Sequence, residues 1–353
     1  MSSINQVKAA IPARGKPWRA TPAQRLITAG IFAAAIAISG VLVALTPLSG
    51  NLAYIAVFFI SYIVIDYTYS RITQGKTAGA DSIFRGFVIL AISVAVIPII
   101  SILYTVIARG YKGMHWTMFT KDMHNNAATD PVGQGGLLHA IIGTFLLVVI
   151  ALAISIPIGL LTAIYMTEIK GRFMRPIKFL VQAMSGVPSI VAGLFILAAV
   201  VYPLTKTFNS FEGSLALAIL MIPTIARTSE EVLLLVPQDL RESGVALGGT
   251  QWRTVAQIVL PAARSGLVTA MILGIARIAG ETAPIVLLTG GGDTKNWNIF
   301  AHPMGSLPFY IWKGFAAGTP ESITRAWSGI FVLLALVLTL FVVARVLSNR
   351  KTK

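Results

Sequence analysis

The chain has 353 residues, of which 56% are hydrophobic and only 12% charged, with a formal net charge of +15. Soluble domains carry about 25% charged residues, so half that share over this length excludes an ordinary soluble protein and points to a polytopic membrane protein. The absence of cysteine excludes disulfides, thiol catalysis and thiolate metal sites.

A helix needs about 20 apolar residues to cross a ~30 Å hydrocarbon core. Eight segments read as spans: residues 26–46, 52–69, 87–107, 138–165, 177–202, 214–236, 264–289 and 325–346. The N-terminus is basic and precedes an apolar run, as in a signal peptide. The run from Leu26 to Thr46 is too long for that and is followed at once by a second span, so it reads as a retained helix. The second span carries Asp66 near one end, read as an interfacial or helix-packing residue. Between the second and third lies Ser70–Thr77, "SRITQGKT", which imitates a phosphate-cradling loop. Ser70 stands where the first glycine is required and no strand precedes it, so no nucleotide site is assigned there.

Twenty Lys and Arg residues fall on the side holding both termini, seven on the other, and Arg277 lies inside a span. Basic residues accumulate on the cytoplasmic side, so both termini are expected there. The charge of +15 reflects topology and not a nucleic-acid footprint. The four histidines, at 115, 124, 139 and 302, have no metal-ligand spacing.

Pro98, Pro157, Pro188, Pro223 and Pro284 fall within spans. Each removes a backbone hydrogen bond, and the freed carbonyl must be satisfied by a neighbouring helix or a watered cavity. The stretch Ser185–Gly193, "SGVPSIVAG", fits either close packing through small residues or a broken helix lining a pathway. The outward loops 108–137 and 290–324 are rich in Gly, Pro and Asn and large enough to fold partly over the outer face.

Residues 237–263 form a cytoplasmic connection. Pro237, Gly248 and Pro261 divide it into two short helices expected to lie along the membrane surface. Faces carrying Val245, Leu247, Trp252 and Val255 suit insertion into a partner's groove. Beyond it, Arg277 and Glu281 stand four apart in an apolar segment, a spacing that puts both on one helix face. A charge at the bilayer centre costs ~2.5–3.5 kcal/mol, so such residues face a bundle interior and commonly mark a substrate route. The plainer reading is a neutral pair that locks two helices together.

Glu242, Ser243, Gly244, Gly248, Ile258, Leu260 and Pro261 follow the spacing E-A-A-x₃-G-x₉-I-x-L-P, with Ser243 and Gly244 replacing the two alanines. In this the chain resembles the permeases of ABC importers. The blocks Gly136–Glu168, Ile222–Pro237 and "IARIAGETAPIVL" are similar to PstA-type permeases of phosphate-specific ABC transporters. The likeness covers roughly residues 85–346. It implies an all-α polytopic fold of about eight transmembrane helices, with a type I importer core (MetI-like) preceded by two extra helices at 26–84. A basic arm at 1–25 and a tail at 347–353 complete that plan.

The resemblance further implies a bacterial plasma-membrane location and a noncatalytic role as half of an inorganic phosphate pathway. It implies four kinds of partner: a homodimeric ATPase that binds ATP and Mg²⁺, a second homologous permease, an extracytoplasmic phosphate-binding protein and membrane lipid. No cofactor is expected in this chain. Residues 237–263 would be the ATPase coupling loop. Arg277 would grip phosphate oxygens bidentately, restrained by Glu281, with Arg227 near the inner mouth and the hydroxyls of Thr282 and Ser185 as further ligands. The rival readings are another oxyanion (molybdate, sulfate or phosphonate) or a proton-coupled secondary transporter working through Arg277 and Glu281.

Overall fold

The computed structural model describes residues 21–47 and 50–349. Most of the basic N-terminal arm (1–20) and the last residues of the tail (350–353) lie outside the described residues. The chain divides into two compact units, meeting between Ile102 and Leu103.

The first unit holds α1 (Pro22–Leu45), α2 (Asn51–Gln74) and most of α3 (Lys76–Gly110). Helix α1 starts at a capping box: the Thr21 hydroxyl accepts from Gln24 N, and the Gln24 side chain accepts from Thr21 N. Its buried face, Ile31 and Ala35, packs with Tyr62 and Phe58 of α2. Asp66 is buried and accepts from Arg85 Nη2 at 2.6 Å and Nε at 3.2 Å. It therefore ties α2 to α3, the helix-packing role expected of it.

The second unit carries α4 (Leu138–Ile164, with a π-helical extension Tyr165–Ile169), α5 (Met174–Ser185) and α6 (Ser189–Ile196, continued as a π-helix to Thr205). Then come α7 (Ser210–Leu234), α8 (Gln238–Ala246), and α9 (Gln251–Thr254), which runs through a π-segment Val255–Val259 into α10 (Leu260–Ala279). Helices α11 (Ala283–Leu288), α12 (Leu307–Ala317) and α13 (Pro320–Asn349) complete it. No strand forms among the described residues; the nearest approach is an isolated bridge between Gly290 and Met304.

Among the described residues, six helical segments are long and apolar enough to cross a membrane, and the bent α5–α6 pair would make seven. The predicted count of eight differs by α7. That helix has 25 residues, a sufficient length, but Glu212, Arg227, Glu230 and Glu231 dilute its apolar character. Its amino end is a second capping box, in which Asn209 accepts from Phe211 N and Glu212 N while Glu212 accepts from Asn209 N.

Helix α7 is the hub of the unit. Leu217, Leu220, Met221 and Ile225 pack against Leu147, Val148 and Ala151 of α4 and Ile275 and Ile278 of α10. Lipid offers little hydrophobic drive between helices, so close packing and interhelical hydrogen bonds do this work. Ser155 of α4 supplies one, donating to Ala218 O at 3.3 Å. A second cluster at one end joins Ala163 and Ile164 to Leu233, Val255, Val259 and Leu267. A third, at the other, joins Met118, Leu137 and Ala140 to Leu307, Tyr310 and Val332.

The two predicted outer loops pack on each other. Met123 N donates to Asp293 O, and Lys295 N to Asp122 Oδ2. Arg325, 3% exposed, holds five carbonyls of the first loop: those of Ala127, Ala128, Asp130, Pro131 and Gln134. Removing a donor so that buried acceptors are left unsatisfied costs about 1–3 kcal/mol. Arg325→Met is accordingly expected to lower the thermal midpoint in detergent and to open residues 120–137 to protease; an unchanged digestion pattern would contradict this.

Proline breaks helices at only some of the predicted positions. Pro98, Pro157 and Pro223 remain inside α3, α4 and α7. Pro188 sits at the α5–α6 junction, where the axis turns by 107°, and Pro284 opens α11 after the interruption at Gly280–Thr282. The predicted continuous span 264–289 is thus two helices.

Candidate translocation and coupling sites

Arg277 lies in the last turn of α10, where a cation meets the negative end of the helix dipole. Glu281 lies just past that end, its amide donating to Ile278 O. Arg277 Nη1 donates to Glu281 Oε1 at 2.6 Å. The predicted pair therefore forms, though across a helix end and not along one helix face. Its asymmetry is informative: the Arg277 side chain is 45% exposed and that of Glu281 13%. The guanidinium lies open on the surface of this chain, with the carboxylate drawn in behind it. Thr282 precedes α11, and its hydroxyl makes a 3.5 Å contact to Gly280 O.

The interruptions at 186–188 and 280–282 belong to helices that pack together. Ala192 of α6 and Ile285 of α11 share one cluster, and Ile196 and Leu288 share the next. Both helices thus run alongside one another from their breaks. Ser185 is exposed at the end of α5, and its hydroxyl donates back to Val181 O at 3.0 Å. Arg227, on α7, pairs loosely with Glu231 at 3.9 Å, both well exposed. Glu230 turns instead to Lys178 of α5 at 2.8 Å. The structure brings Arg277, Glu281 and Thr282 together, and no ion pair or hydrogen bond among the described residues joins them to Arg227 or Ser185.

In the segment 237–263, α8 starts after Pro237 as expected. Gly248 makes the turn with φ +83°, in the left-handed region, and is exposed. The second half departs from expectation. It is not a separate surface helix, because Thr254, Val259 and Leu260 are all helical and the chain continues into α10. Pro261 does not break it: the π-segment immediately before supplies i→i−5 bonding, with Leu260 N donating to Val255 O, so the lost donor is accommodated.

Gly244 is buried beneath this helix. A Cβ there would meet Thr254 Cγ2 at 2.7 Å and Ile258 Cδ1 at 2.8 Å, so only glycine lets α8 approach so closely. Glu242 and Ser243 are exposed, and the Ser243 hydroxyl bonds Asp239 O. Leu260 is partly buried against the end cluster, and Pro261 is exposed. Val245, Leu247 and Trp252 are exposed, Leu247 at 88%. Val255, expected on the same docking face, is instead buried among Ile164 and Leu233, because the helix continuing into α10 turns it inward.

Sequence reasoning passed over Glu168. It is the single acid closing a long apolar block, and its carboxylate is gripped from both sides by Arg241. A groove of about 970 Å³ opens beside the pair, lined by Glu168, Lys170, Leu235, Arg241, Val245 and Val255. A charge that ends an apolar span one residue from a turn was the available signal.

Residues 155–353 match the family model described as the binding-protein-dependent transport system inner membrane component. The chain is 36% identical over 266 residues to "Phosphate transport system permease protein PstA 1" of Mycobacterium tuberculosis, covering 74% of this chain and 86% of that protein. It is 35% identical over 252 residues to the protein of Haemophilus influenzae named "Phosphate transport system permease protein PstA", covering 71% and 87%. An inward-facing crystal form of the MetNI methionine ABC transporter aligns at 19% identity and TM-score 0.45, covering 61% of this chain and 92% of that one. The family match spans α7, the segment 237–263 and the Arg277–Glu281 break, and the PstA relatives align along most of their own length: this chain belongs to the binding-protein-dependent transport inner membrane components, as a PstA-type permease.

Proposed function

We propose that this chain is a permease subunit of an ATP-driven importer of inorganic phosphate, and that residues 85–346 form its transport domain. The observation that carries this reading is the relationship to phosphate permeases, together with a family match over residues 155–353 that includes Arg277. The geometry supports it. Arg277 presents an open guanidinium, with Glu281 holding it in place, at a point where α10 is interrupted. A guanidinium keeps its charge at any working pH and offers a planar fork matched to oxyanions. Glu281 lowers the grip on a bound anion, so that phosphate can leave as well as enter.

An ion pair on a membrane helix does not face hydrocarbon at no cost. The exposed side of Arg277 therefore supports a second permease packed against it, with the pathway between the two. The exposed Val245, Leu247 and Trp252 support a docked ATPase that binds ATP and Mg²⁺, while this chain supplies no covalent chemistry. The packed outer loops are the surface for an extracytoplasmic phosphate-binding protein. Twenty basic residues against seven favour cytoplasmic termini.

The test is purification of the chain in mild detergent, identification of its companions, and reconstitution of the whole complex in proteoliposomes. An ATPase and a sister permease are expected to co-purify, and ATP is expected to drive labelled phosphate uptake. Unlabelled phosphate should compete, and molybdate, sulfate and phosphonate should not. Competition by one of those oxyanions, or uptake driven by a pH gradient without ATP, would overturn the assignment.

A further inference from the structure

The carboxylate of Glu168 receives Arg241 Nε at 3.2 Å and 3.1 Å on its two oxygens, and Nη2 at 2.9 Å. The rest of that guanidinium is spent on the end of α7: Nη1 donates to Val236 O at 2.6 Å and Nη2 to Leu233 O at 2.8 Å. Gln251, at the start of α9, donates its side-chain amide to Glu168 O at 2.6 Å. A largely buried ion pair and the exposed Gln251 beside it thus fasten both halves of the docking segment to α4 and to α7. The side chains are 6% exposed for Glu168 and 18% for Arg241.

The backbone on both sides of this point departs from the regular α-helix. Glu168 sits in the π-segment 165–169, which ends at Lys170 in the left-handed region. The other side of the joint continues into the π-segment 255–259. Such segments are short, wide turns that commonly occur where function requires them. A bidentate ion pair fixes orientation as well as distance, so the Glu168–Arg241 contact helps to set the angle of α8 to α4. Beyond the joint, α4 and its extension form one continuous segment of 32 residues, Leu138–Ile169. Near its far end Thr144 Oγ1 accepts from Leu307 N at 2.8 Å, at the start of α12 within the second outer loop.

We propose that the Glu168–Arg241 pair is the joint through which displacement of the docking segment is passed into α4, and along it to the outer face. Both are positioning residues: they touch neither phosphate nor nucleotide. The proposal rests on the reading of 237–263 as the ATPase docking segment. A pair that only folds the loop would behave differently, because its loss would release the ATPase.

The test uses the full complex in proteoliposomes, measuring phosphate moved per ATP hydrolysed and the ATPase retained on the purified complex. In Glu168→Gln the ATPase is expected to stay bound while phosphate moved per ATP falls on the order of tenfold. Arg241→Lys keeps the charge but loses the fork, and is expected to fall less. An unchanged ratio in Glu168→Gln, or loss of the ATPase in step with loss of transport, overturns the joint. If Glu168→Gln does not assemble, Gln251→Ala decides: this exposed residue is expected to lower the ratio by about threefold, and an unaltered ratio refutes the proposal. A normal parent complex with an unaltered Glu168→Gln ratio sinks the joint alone. A parent that moves no phosphate sinks the function, and the joint with it.

Discussion

Arg277→Ala is expected to lower phosphate uptake by about two orders of magnitude while the chain still reaches the membrane and still co-purifies with its ATPase. Truncating one member of a close charge pair in a binding surface costs about 2–5 kcal/mol, and roughly 3 kcal/mol corresponds to that loss. The effect is compounded by what remains. Without Arg277, the Glu281 carboxylate 2.6 Å away has no partner among the described side chains and would repel an approaching anion. Arg277→Lys should be intermediate, since the ammonium keeps the charge but not the fork. Glu281→Gln separates a substrate role from a packing role. It frees the guanidinium to hold phosphate more tightly, so KM and the maximal rate should both fall. Uptake rates in proteoliposomes across a phosphate series check all three. Normal uptake by Arg277→Ala would remove this residue from the pathway.

Gly248→Asp is expected to abolish coupling, either by releasing the ATPase or by leaving it bound and idle. Two effects combine. The backbone at φ +83° admits glycine freely and costs other residues up to about 1–2 kcal/mol, less for Asp than for Ala because its short polar side chain can bond locally. No atom lies within 4 Å of where a Cβ would sit, so the added carboxylate projects outward, next to the exposed Leu247. A charge there spoils an apolar docking face. Gly248→Ala carries the backbone cost without the charge, and should retain more of the coupling. ATPase co-purification together with uptake per ATP distinguishes the outcomes; Gly248→Asp with parental values of both would refute the docking role.

The membrane spans were legible because hydrocarbon demands a fixed length of apolar chain, and composition alone meets or fails that demand. The backbone of segment 237–263 was legible in part because its glycines and prolines are fixed by backbone geometry: Pro237 does open α8, and Gly248 does turn. Three things were not legible. Whether Pro261 ends a helix depended on a π-segment five residues long, whose extra residue per turn absorbs the missing donor. The inward turn of Val255 followed from the same continuity. The break after Ala279 was hidden because Arg277 and Glu281 at i and i+4 look the same whether the helix continues or stops.

The sequence by itself determined the class, the approximate spans and the identity of the charged pair, because each follows from local chemistry: apolar run lengths, basic residues on one side, a guanidinium in a greasy segment. Only the tertiary structure decided which charges meet. Glu168 and Arg241 are 73 positions apart, and Lys178 and Glu230 are 52 apart. Pairings of that kind depend on how α4, α5 and α7 pack, and packing depends on side-chain volumes meeting across the fold, which no local pattern records.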